Sequence, residues 1–232
     1  MHLFHIPDLA PPHLDLPEEE ARHATGVLRL RVGDRVGLLD GRGTRAEAVI
    51  VEAGRGTCRV DILERHQHPP ERRAAIHLAV APTKQMDRFE WFLEKATEIG
   101  VDRITPLLTE RTERSHLRHD RLLKVLVAAM KQSQRAWLPV LAHPTPLNEM
   151  VASTAGKRYF GWCTGERASF TQAYHPDSAT LMLIGPEGDF TPAEAQSLIA
   201  ADVAPVSLGH ARLRTETAAV VACTWMNMAQ EG

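Results

Sequence analysis

The residues best placed by type and spacing to do chemistry lie in one stretch, Leu181–Glu194. Four large apolar residues, Leu181 to Ile184, lead into Gly185 and read as a buried strand ending at a turn. Pro186, Glu187 and Gly188 make a tight loop in which Gly188 is free to take backbone angles other residues avoid. A helix then starts at once, with Thr191 as N-cap, Pro192 at the first helical position and Glu194 completing a capping box. A strand, a glycine loop and a capped helix in that order let backbone amides at the carboxyl end of a sheet receive a ligand. The same turn also occurs in α/β folds for purely structural reasons, so the pattern alone leaves both readings open.

The second chemical resource is arginine. Of 27 Lys and Arg residues only five are Lys, and Arg is the better fork for phosphate and the better platform for stacking on a base. The net charge of −2 offers no global argument for a nucleic-acid partner, but the distribution is uneven. Between Arg103 and Arg135 eight basic residues face three acidic ones, a local excess that suits either a solvated face or an RNA contact. His66 with His68, and His116 with His119, lack a third ligand, so no metal site is expected. Cys58, Cys163 and Cys223 are far apart and without CxxC spacing, which points to a reduced, cytoplasmic protein. The N-terminal residues do not read as a signal peptide, and no apolar run is long enough to span a membrane.

These groups need elements to hold them. At 232 residues the chain has room for one or two domains with a substantial core. Glu18–Val27 reads as a short helix with an acidic first turn. Short β-rich runs up to Leu63, punctuated by Gly-Asp and Asp-Gly turns, read as a small antiparallel barrel whose surplus of Arg suits nucleic acid or a solvated face. His66–Arg73 reads as a linker. Beyond it, Ala75–Ala81 is a strand, Asp87 caps a helix that Gly100 closes, and Val101–Leu108 is a strand, implying a parallel crossover. A long helix with Leu122, Leu126 and Met130 on its apolar side follows. Thr145-Pro146 opens a helix ended by Gly156, Arg158–Cys163 is a strand, Ala204–Gly209 another, and Thr215–Ala229 a closing apolar helix.

Ile184-Gly-Pro-Glu-Gly188, followed by Leu208-Gly-His-Ala-Arg-Leu-Arg-Thr-Glu-Thr-Ala218, closely resembles the C-terminal signature of the ribosomal RNA small subunit methyltransferase E family. Glu94–Val101, Thr109–Arg111, Gln132–Arg135 and Val27–Asp34 extend the likeness over nearly the whole chain. Three places depart from the family pattern, which usually has Gly at Asp189, an acid at Lys131, and a basic-then-aliphatic pair at Ala211-Arg212.

The resemblance implies an α/β fold in which a PUA-like β-barrel, residues 1–70, precedes a SPOUT-type parallel sheet, residues 73–232, with a C-terminal trefoil knot. It implies S-adenosylmethionine as methyl donor, 16S ribosomal RNA of the small subunit as substrate, N3 of a uridine as acceptor, and a homodimer with no metal and no membrane. Leu183, Gly185, Gly188, Leu208, Gly209, Leu213 and Thr217 are the expected cofactor-binding residues, the glycines admitting the adenosine to the backbone and the aliphatic side chains walling its ring. Uridine N3 is a poor nucleophile until it loses its proton, so a base or cationic donors at the base carbonyls are required. Arg214 and Glu216 flank the loop and are the expected catalytic pair, with Arg22, Arg29, Arg31, Arg111 and Arg135 on the RNA. Two alternatives remain at this point: an RNA-binding assembly module with little or no transfer, and a SPOUT methyltransferase acting on another RNA.

Overall fold

The computed structural model describes residues 1–153 and 156–231. The chain divides into two compact units, Met1–Glu71 with Val127–Leu138, and Arg72–Leu126 with Pro139–Gly232.

The first unit holds β1 (Leu3–His5), β2 (His13–Asp15), α1 (Glu18–Arg22) with a π-helical turn at His23–Val27, β3 (Arg35–Leu39), β4 (Thr44–Ala53) and β5 (Cys58–Gln67). Its sheet runs β1-β3-β4-β5-β2 and is antiparallel except for β1, which lies parallel to β3. Ala46, Ala48 and Ile50 alternate inward along β4 to meet Phe4, Val36, Leu38 and Val60. Register shifts between β4 and β5 mark irregularities in the pairing of the kind that bend and twist a strand. The expected Asp-Gly turn is present at Asp40-Gly41, where the Asp40 carboxylate accepts the Arg42 and Thr44 amides at 2.7 and 2.9 Å. β5 extends through Gln67, into what the composition had suggested was linker.

The second unit alternates strands and helices: β6 (Ile76–Val80), α2 (Met86–Ile99), β7 (Arg103–Leu108), α3 (His119–Gln132), β8 (Val140–Leu141), β9 (Thr145–Pro146), α4 (Leu147–Ser153), β10 (Lys157–Gly161), β11 (Ala168–Ser169), α5 (Phe170–Ala173), β12 (Thr180–Ile184), α6 (Pro192–Ala200), β13 (Ala204–Ser207) and α7 (Thr215–Met228). The last six residues of α3 belong to the first unit. The sheet order is β11-β13-β10-β12-β6-β7-β8, all parallel, with β9 paired to β7. Every residue of β12 is buried, as a central parallel strand requires.

Two local expectations change. α2 begins at Met86 with Gln85 as N-cap, and Asp87 lies inside the first turn, where its charge still favours the helix N-terminus. Thr145-Pro146 is a short strand rather than a helix start, because its residues pair with Leu107 and Leu108; the helix begins at Leu147. The stop expected at Gly156 follows residues 154 and 155, which lie outside the described part. Gly100 does close α2, at a φ of 110°. Lys131, the basic residue at a position where the resemblance led us to expect an acid, forms a 2.6 Å ion pair with the largely buried Glu20 of α1.

His77, on β6 near the centre of the sheet, has its imidazole 2.8 Å from Thr105 Oγ1. Burial, reinforced by the neighbouring Arg103 charge, pushes its pKa down from 6.5 to about 4. The folded protein therefore keeps His77 neutral where the unfolded chain takes up a proton. Stability from this group is complete above about pH 6.5 and is lost as pH falls toward 4, at about 1.4 kcal/mol per pH unit. Between pH 7 and pH 5, urea unfolding of His77→Gln should show a loss smaller than that of the wild type by about 2 kcal/mol. An equal loss in that variant would assign the acid sensitivity to other groups.

Candidate functional site

Three loops leave the carboxyl ends of β13, β10 and β12, which are neighbours in the sheet. They run over 208–214, 162–167 and 185–191. In an open parallel sheet this edge is where loops converge and ligands bind.

The loop after β12 is built closely on the expected local plan. Thr191 Oγ1 accepts the Glu194 amide at 3.2 Å and Glu194 accepts the Thr191 amide at 2.8 Å, a complete capping box with Pro192 behind it. The left-handed residue, however, is Asp189 (φ 61°) and not Gly188. Gly188 instead lies under the Arg111 side chain. A Cβ there would stand 3.2 Å from Cδ of Arg111, whose guanidinium donates a hydrogen bond to the Gly188 carbonyl. Gly185 is tighter still in its surroundings, since a Cβ there would meet ring and backbone atoms of Phe190 at 3.1–3.3 Å.

The other loops fasten onto this one. Thr215 Oγ1 donates to the Gly185 carbonyl at 3.0 Å, joining the start of α7 to the end of β12. Gly209 takes a φ of 129°, and the Ser207 hydroxyl donates to its carbonyl at 2.8 Å. Across the sheet, Ile184 and Leu208 crowd the position a Gly161 side chain would take, at 3.2 and 3.8 Å. The Glu187 carboxylate accepts the Lys84 amide at 3.1 Å, while Arg114 donates to the Lys84 carbonyl at 2.9 Å. Segments following β6 and β7 thus brace the glycine loop from its other side.

The expected site residues fall into groups. Gly185, Gly188, Leu208, Gly209, Leu213, Arg214 and Thr217 lie on or beside the linked loops at this edge. Leu183 is fully buried in a core cluster with Phe160, Phe190 and Leu198, so its side chain supports the loop from beneath. Arg214 is exposed at the N-cap of α7. Glu216, in the first turn of that helix, is 7% exposed, and its carboxylate faces Arg88 of α2 at 3.9 Å. A buried carboxylate is favoured there by the helix N-terminus and by this cation. Arg111 belongs to the wall of the glycine loop. On the first unit, Arg22, Arg29 and Arg31 are exposed; Arg22 pairs with Glu18, and Arg29 takes a φ of 56°. Arg135 is mostly buried and ion-paired with Glu71.

Sequence reasoning missed the third loop. Gly161 and Cys163 take part in the edge, and the only sequence signal was Gly-Trp-Cys-Thr-Gly after a strand, too common a pattern to single out. Cys163 is exposed; partial burial of its sulfur, followed by the Asp189 charge, pushes its thiol pKa up, so it is not an activated nucleophile. Two cavities, of about 750 and 390 Å³, lie away from the three loops. Of the charged groups lining them, Glu194 is occupied by the capping box, and Arg158 donates to the Val151 and Ala201 carbonyls. No group of three metal-ligating side chains occurs among the described residues.

Residues 70–227 match the model of the RNA methyltransferase domain, and residues 16–63 that of the RNA methyltransferase PUA domain. The ribosomal RNA small subunit methyltransferase E of Mycobacterium tuberculosis is 34% identical over 88% of this chain and 82% of its own. The chain belongs to that methyltransferase family. Its relatives extend to solved structures. A probable rRNA-methyltransferase from Porphyromonas gingivalis is 41% identical with a TM-score of 0.92, covering 100% of this chain and 99% of its own. The Neisseria gonorrhoeae ribosomal RNA small subunit methyltransferase E bound to S-adenosyl methionine is 27% identical with a TM-score of 0.90, covering 99% of this chain and 98% of its own. For this methyltransferase the expected architecture, a PUA unit followed by a parallel α/β sheet, is the observed one. No helix among the described residues is long and apolar enough to cross a membrane.

Proposed function

We propose that the chain transfers the methyl group of S-adenosylmethionine to N3 of a uridine in small-subunit ribosomal RNA. The observation that carries this reading is the junction of the three loops at one sheet edge, with Arg214 exposed beside them. The loops suit the donor. Gly209 is exposed, with nothing within 4 Å of where a side chain would begin, Gly185 and Gly188 let Phe190 and Arg111 pack closely against the loop, Leu208 and Leu213 are half-buried apolar walls, and Thr217 lies in the first turn of α7. S-adenosylmethionine would supply an electrophilic methyl on a sulfonium, whose bonding pair stays with sulfur as the N3–carbon bond forms.

The protein's part is mostly positioning. Uridine must lose its N3 proton, which solvent water can take up, and the resulting charge gathers on the base carbonyls. Arg214, exposed at the start of α7, is assigned to those oxygens, where a fixed guanidinium stabilises developing charge. Glu216 is assigned to holding the first turn of α7, through its burial and its contact with Arg88. Arg22, Arg29 and Arg31 are assigned to RNA phosphates. We further infer residues 1–70 and 73–232 as the functional domains, a trefoil knot through the C-terminal segment, a homodimer and a cytoplasmic location.

Small subunits purified from a strain lacking this protein are the test. Incubation with the purified chain and methyl-labelled S-adenosylmethionine is expected to place label in 16S RNA and to create one new reverse-transcription stop at a uridine. Label without a stop would remove the N3 assignment. Donor binding without label would favour an assembly module or another RNA.

A further inference from the structure

Asp189 does more than fill a left-handed position. β10 and β12 pair in register up to Gly161 and Ile184. Past those residues the ladder ends and the two chains are free to part. The Cys163 amide, just beyond β10, is instead accepted by Asp189 Oδ2 at 3.0 Å. The other oxygen, Oδ1, accepts the Phe190 amide at 2.8 Å. One carboxylate therefore spans both loops. It can do so because its backbone sits at a φ of 61°, stabilised by the Asp189 amide donating to the Pro186 carbonyl at 2.9 Å. Phe190 in turn stands edge-on to Phe160, with ring centroids 5.7 Å apart, and presses against Gly185. Fixing the Phe190 amide thus also fixes the glycine that opens the loop.

We infer that Asp189 is a positioning residue that sets the spacing between the β10 and β12 loops, and hence the affinity for the methyl donor. The inference rests on the proposed function for the identity of that donor. Asp189 touches backbone amides, so it acts through the shape of the cleft and takes no part in the chemical step.

Asp189→Gly keeps the left-handed backbone accessible and removes both hydrogen bonds; Asp189→Asn keeps one oxygen acceptor and tolerates the same φ. In steady-state methyl transfer to small subunits, Asp189→Gly is expected to raise KM for S-adenosylmethionine about tenfold with kcat within about twofold, because charge-assisted bonds to backbone amides hold the loop geometry. Asp189→Asn is expected to lie between it and wild type, at about threefold. Calorimetric titration with S-adenosylmethionine should report the same order, and hydrogen exchange should be faster at the Cys163 amide in Asp189→Gly. A KM unchanged within about twofold, or a fall in kcat with KM unmoved, overturns the inference. Wild-type protein that fails to bind the donor overturns the functional reading instead. The clamp is then decided by exchange alone, and unchanged protection at Cys163 overturns it.

Discussion

Arg214→Ala is expected to slow single-turnover methyl transfer by about 10²–10³-fold, the scale seen when one fixed donor to a developing anion is removed. Arg214 is exposed at the N-cap of α7 and makes no side-chain cap there, so the variant should fold and bind S-adenosylmethionine nearly as wild type does. Arg214→Lys would keep the charge but lose the planar fork, and is expected to recover only part of the rate. The measurement is a quench-flow time course at saturating donor with small subunits in excess. A rate within about tenfold of wild type would move the charge-stabilising role to another cation of this edge, with Arg111 the first to examine because it already contacts Gly188. An equal fall for Glu216→Gln would show that the buried carboxylate, and not only its neighbour, is coupled to the chemistry.

The second large effect is structural. Phe160→Ala is expected to cost about 3–5 kcal/mol, the range for emptying a fully buried aromatic position. Phe160 is 0% exposed on β10, in the core cluster with Leu181 and Leu183, and its ring meets those of Trp162 and Phe190. Collapse around the cavity is limited because β10 is hydrogen-bonded on both sides, to β12 and β13. The consequence reaches the site, since Phe190 is the residue against which Gly185 packs. Donor affinity in the surviving folded protein should therefore also fall. Denaturant unfolding and donor titration on the same preparation check both; a loss below about 1 kcal/mol would mean the core repacks, contrary to this reading.

Much of the site was legible in the chain because it is written in short-range chemistry. The capping box at Thr191 and Glu194 is a three-residue relation, and the burial of β12 is visible as four consecutive apolar residues. Gly100 marks a helix end for the same local reason. Where local rules were ambiguous they misled. Thr145-Pro146 looked like a helix start, and pairing with β7 made it a strand. Gly188 looked like the left-handed residue of its loop, and Asp189 takes that conformation while Gly188 packs against Arg111. Asp189, a departure from the family pattern in the sequence, accepts two amides, one of them 26 positions away.

The sequence by itself determined the type of most of the longer elements, the capped glycine loop, the paired loop signature and, through these, the family. Those features depend on the conformational preferences of individual residues and on relations between positions a few apart along one chain segment. Only the tertiary structure decided that β13, β10 and β12 are neighbours, that Val127–Leu138 joins the first unit, and that Arg88 rather than Arg214 faces Glu216. Each of these joins residues distant in the chain, and such pairings are selected by the burial of a whole sheet and its helices at once. No window of sequence contains that energy.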